Sequence, residues 1–84
     1  MNAHEYYYRA VHADLVHSIE VAIEHSGLSK AELARRMSMT PKHLYRLLSG
    51  KRTMSVRTLA RLAYELRVYP SIRMFSHELH QESR

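Results

Sequence analysis

The chain has 84 residues, a net charge of +5 and no cysteine. That length fits one small domain, 1–84, and the missing thiols exclude a disulfide framework and a thiolate metal site. No apolar run approaches the roughly 20 residues a membrane-spanning helix needs, and no charged segment leads into an apolar one as in a signal peptide. A cytoplasmic protein is the simplest expectation, with no membrane partner.

Met1–His4 carries little pattern. From Glu5 to His25 the residues Tyr8, His12, Leu15, Ile19, Ala22 and Ile23 form a stripe at helical spacing, which predicts a long first helix over 5–25. Ser26 and Gly27 break it. The run Tyr6-Tyr7-Tyr8 reads either as a platform for stacking bases or as cover for the edge of a bundle or a dimer contact. Glu5 and the acids that follow it would repel a phosphate backbone.

The next stretch, 30–49, reads as two short helices joined by a tight turn. Leu33, Ala34 and Met37 share one helical face, Met39 falls in the turn, and Leu44, Leu47 and Leu48 share a second face. Ser29 and Glu32 have the S-x-x-E spacing of a capping box, and Leu28 precedes it as a hydrophobic staple. Thr40 can cap the second helix, with Pro41 at its first position, where a missing N–H costs nothing. Gly50 ends that helix. Two capped halves of this length describe a helix-turn-helix.

After a polar loop, Gly50–Met54, Ser55 can cap a fourth helix over 56–67. Its inward face would be Val56, Leu59, Ala60, Leu62, Ala63 and Leu66. Pro70 blocks its continuation and can start a last helix over 71–81, with Ile72, Met74, Phe75 and Leu79. The expected fold class is all-α, a five-helix orthogonal bundle.

Charge is distributed unevenly. Ten bases face two acids between Leu28 and Arg67, net +8, whereas the flanks hold three bases and six acids, net −3. A basic centre on a helix-turn-helix is the electrostatic footprint of nucleic-acid binding. Seven histidines raise the question of a metal or a catalytic site. His77 and His80 lie three apart, but no set has a persuasive ligand or catalytic spacing, and only two glycines exist to build a phosphate loop. Neither a cofactor nor an enzyme is expected, and no small-molecule substrate.

The segment Leu28–Val68 closely resembles the DNA-binding domain of the Xre/Cro family of phage and bacterial repressors. The resemblance rests on GLSKAELARRM, TPKHLYRLLSGKR and LARLAYEL, with Ala34 at the small-residue position where the two helices touch. Ser38 departs from the glycine usual in the family's left-handed turn, and Lys30 from a common glutamine. The resemblance implies a second motif helix lying in the major groove of double-stranded DNA. On that reading Thr40, Pro41, Lys42, His43, Tyr45 and Arg46 are candidates to read bases. Ser29, Lys30, Lys51, Arg52 and Arg57 are candidates to hold the backbone. Arg35 and Arg36 stay ambiguous, because one of them should point away from DNA. Segments after the fourth helix commonly build the family's dimer, which makes Ile72, Met74, Phe75 and Leu79 candidates for a homodimer contact. The same helix could instead close its own core against Tyr8 and Leu15.

Three functions compete at this point. The first is a sequence-specific repressor of Cro-like or immunity type. The second is an antitoxin of the same fold. The third is a helical adaptor whose basic face meets an acidic protein.

Overall fold

The structure, a computed structural model, describes residues 2–76. Four helices form among them and no strand: α1, Ala3–Ser26; α2, Lys30–Arg36; α3, Pro41–Leu48; and α4, Val56–Leu66.

Each helix starts where a side-chain oxygen can take an orphan N–H. Asn2 accepts from the Glu5 amide at 2.8 Å, which starts α1 ahead of the expected residue 5. Ser29 accepts from Glu32 at 3.1 Å, Thr40 from His43 at 3.0 Å and Ser55 from Thr58 at 3.0 Å. Only half of the expected capping box at α2 is made. The Glu32 carboxylate turns away from the helix start and binds Arg35 and Arg36 instead.

The helices end on left-handed residues. Gly27 (φ 78°) closes α1, and Gly50 (φ 83°) follows α3. At Gly50 an added Cβ would also come within 3.4 Å of the His12 ring, so both backbone and space call for glycine. Ser38 (φ 56°) and Arg67 (φ 60°) take the same conformation without being glycine. Their backbones are held by the bonds of a Schellman ending: Met39 N–H to Ala34 C=O at 2.9 Å, and Val68 N–H to Ala63 C=O at 3.0 Å. Arg67 is therefore the cap of α4 and not its last residue.

The core draws on all four helices. Ile19 and Ile23 of α1, Leu33 and Ala34 of α2, Met37, Leu44 and Leu48, and Leu62 and Leu66 of α4 form one buried cluster. Ala34 is fully buried, as close approach of α2 and α3 requires. A polar pin adds to the apolar contacts: Arg61 Nη2 on α4 donates to the Met37 carbonyl at the end of α2, at 3.0 Å.

Among the described residues the expected fifth helix does not form. Residues 71–76 are neither helical nor buried, and Ile72, Met74 and Phe75 are exposed. Residues 77–81, with Leu79, His77 and His80, lie outside the described residues. The physical reason is that an isolated short helix is marginal and needs a face to pack on, whereas α1, α2, α3 and α4 already close the core around one another. Two further expectations fail on α4 itself. Val56 and Ala60 are exposed, because they lie at the edge of an apolar stripe centred on Leu59, Leu62, Ala63 and Leu66. On α1 the stripe is buried only from Ile19 onward. Tyr8 is exposed, and His12 and Leu15 are half-buried.

Candidate nucleic-acid interface

The outward face of α3 is set by its inward one. Leu44, Leu47 and Leu48 are buried, so the helical repeat turns Lys42, Tyr45, Arg46 and Ser49 to solvent. Lys42 and Arg46, four residues apart, share that face. His43 stands at the boundary, half-buried in a shallow hollow with Arg35, Ser38, Met39 and Thr40.

The loop after α3 is tied to the same helix. The Arg46 carbonyl accepts from both the Lys51 amide (3.0 Å) and the Arg52 amide (3.1 Å). That double bond to one oxygen fixes where Lys51 and Arg52 leave the backbone relative to Arg46. Ser49 Oγ donates to the same carbonyl at 3.3 Å.

Lys30 reaches this face from the start of α2. It lines a small cleft with Glu20, Pro41, Tyr45 and Ser49. Its ammonium is held by Glu20 of α1 at 3.0 Å, an exposed pair worth a fraction of a kcal/mol. A phosphate group can therefore compete for it. Ser29 and Thr40 each use an oxygen lone pair as a helix cap, and each keeps its hydroxyl hydrogen to donate elsewhere. Pro41 is exposed at the first turn of α3, where it also starts the helix. Arg57 is exposed in the first turn of α4, and no described contact joins it to the others.

The guanidiniums of Arg35 and Arg36 are both engaged by Glu32. Hydrogen bonds from Arg35 first and Arg36 second hold the Glu32 carboxyl at about 2, well below its ordinary 4.5, and Arg35 is raised in return. The one carboxylate offsets only one of the two positive charges, and both pairs are exposed.

Sequence reasoning missed Glu20 and Arg61, the side chains that position Lys30 and the end of α2. Each acts on a different helix, 10 and 24 residues away along the chain, and no local spacing signals such a pairing.

With the fold and this face described, the class is clear: four helices whose middle pair, bent at a left-handed turn, presents a basic helix face. The sequence matches the helix-turn-helix domain family over residues 22–69, more than half of the chain, and the protein belongs to that family. Membership identifies a DNA-binding regulator, in keeping with the Xre-like character of Leu28–Val68, and the family is typically non-enzymatic. No curated protein and no solved structure matches the chain. No helix among the described residues is long and apolar enough to cross a membrane.

Proposed function

We propose that this protein is a sequence-specific transcriptional repressor of the small phage or prophage type, Cro-like or an immunity repressor, acting as a homodimer on an operator. The observation that carries this reading is the outward face of α3. Lys42, Tyr45 and Arg46 lie side by side there, with Lys30 in a cleft beside Tyr45 and the Lys51-Arg52 pair pinned to the Arg46 carbonyl.

In this reading α3 enters the major groove. Arg46 donates both arms of its guanidinium to guanine O6 and N7, and Lys42 donates as a flexible point charge. Thr40, Pro41 and His43 border the bases at the start of α3, and Tyr45 meets a sugar or a phosphate. Ser29, Lys30, Lys51, Arg52 and Arg57 hold phosphates, which fixes register without reading sequence. The exposed apolar side chains of 72–75 serve the contact between two copies.

The test begins with selection of bound sites from random duplexes, which supplies the operator and its half-site spacing. Arg46→Ala then lowers affinity for that operator by about 1–3 kcal/mol and relaxes preference at one base pair per half-site. Affinity for a scrambled duplex falls much less, because it depends on total phosphate neutralisation. Equal losses on both duplexes would make Arg46 a phosphate contact and remove it from the specificity set.

A further inference from the structure

The N-terminal half of α1 belongs neither to the core nor to the face just described. It runs alongside the end of α3, where His12 Nε2 donates to the Leu47 carbonyl at 3.0 Å. Between the two lies an open groove of about 660 Å³, whose polar lining is Glu5, Arg9, His12, His17, Ser49 and Lys51. This groove shares Leu48 and Ser49 with the cleft that holds Lys30 and Tyr45, so the two run on from one another across the surface. The path leads from Lys30 past Ser49 and Lys51 to Arg9.

We infer that this groove is a second DNA-backbone site, in which Arg9, His17 and Lys51 hold phosphodiesters flanking the operator. The inference rests on the proposed DNA-binding reading and extends it to a helix that the sequence set apart from DNA because of its acids. Three observations support it. Ser49 lines both clefts and Lys51 follows it into the groove, so a strand that passes Ser49 from the α3 side meets Lys51 next. Among the described residues Arg9 is tied to Glu5 one turn away, at 3.1 Å and exposed, and such a pair yields readily to a phosphate. The lining has two permanent cations and one carboxylate, with the His17 imidazole as a further hydrogen-bonding group, His12 being engaged by the Leu47 carbonyl.

The site predicts opposite signs for two neighbouring substitutions. Arg9→Gln removes a phosphate contact. Glu5→Gln removes the one repelling carboxylate and frees Arg9. Both are titrated against the selected operator in two duplexes, one trimmed to the site and one carrying an extra helical turn on each side.

On the long duplex, Arg9→Gln lowers affinity about three- to tenfold and flattens the salt slope by about one, whereas Glu5→Gln raises affinity. On the trimmed duplex both match the parent, and all three proteins melt alike, since both side chains are exposed. Unchanged affinity on the long duplex, or equal changes on the two duplexes, overturns the flanking site. In that case a preserved Arg46→Ala discrimination leaves the proposed function standing. A parent protein that binds neither duplex removes both.

Discussion

Two stretches of this chain carry nearly the same apolar spacing and end differently. Leu44 and Leu48 stand four apart on α3 and are buried, whereas Ile72 and Phe75 stand three apart and remain 71% and 63% exposed. Local signals explain part of the contrast. Thr40 caps α3, Pro41 sets its first turn and Gly50 closes it. The rest is tertiary. The α3 stripe meets a waiting surface made of α1, α2 and α4, while 71–76 arrives after that surface is already filled. A helical stripe is thus necessary for a buried helix and insufficient for one, because most of a helix's stability comes from what it packs against.

The largest effect expected from breaking this contrast is on the buried side. Leu44→Ala lowers unfolding stability by about 2–5 kcal/mol through lost burial and a residual cavity. Ile72→Glu, at the matching exposed position, changes it by less than about 0.5 kcal/mol. Denaturant titration of the two variants compares them directly. Sedimentation of Ile72→Glu reads a separate outcome: under the homodimer proposal it yields a folded monomer, and an unchanged species would take 72–75 out of the contact.

A smaller effect sharpens the role of the turn that lets α3 fold back on α2. Ser38 occupies φ 56° as an L-residue, at a cost of roughly 1 kcal/mol that glycine would avoid. Ser38→Gly therefore raises stability, by no more than about 0.5 kcal/mol after the added freedom of the unfolded chain is counted. A lower melting temperature for the glycine variant would show that the serine hydroxyl matters more than the backbone.

The smallest effect concerns Glu32, whose carboxyl sits at about 2 in the folded chain against an ordinary 4.5. A carboxylate lowered by folding contributes stability that is complete above the ordinary value and is lost as pH falls through the folded one. The parent is then more stable than Glu32→Gln near neutral pH, and the gap closes between pH 4.5 and about 2. Exposure of the Glu32 pairs keeps the gap small. Melting curves across that range check the direction, and a gap independent of pH would assign the effect to something other than the charge.

The sequence by itself determined the elements whose signals are local. The Ser and Thr caps, the proline at the first turn of α3, the glycines after α1 and α3, and the 3.6-residue stripes all act within a few residues of themselves. Four helices and a tight turn between α2 and α3 could be read from them. The outward set Lys42, Tyr45 and Arg46 was legible for the same reason, since burying Leu44, Leu47 and Leu48 fixes the opposite face.

Only the tertiary structure decided what depends on a partner far along the chain. It left Ile72, Met74 and Phe75 exposed, and Val56 and Ala60 at the open edge of α4. It engaged Arg35 and Arg36 on a shared carboxylate, and it set Glu20 against Lys30. It also laid the N-terminal half of α1 beside the end of α3, through one hydrogen bond from His12 to Leu47, 35 residues away. Periodicity tells a residue which side of its own helix it is on. Which surface that side meets is fixed only when the other helices have taken their places.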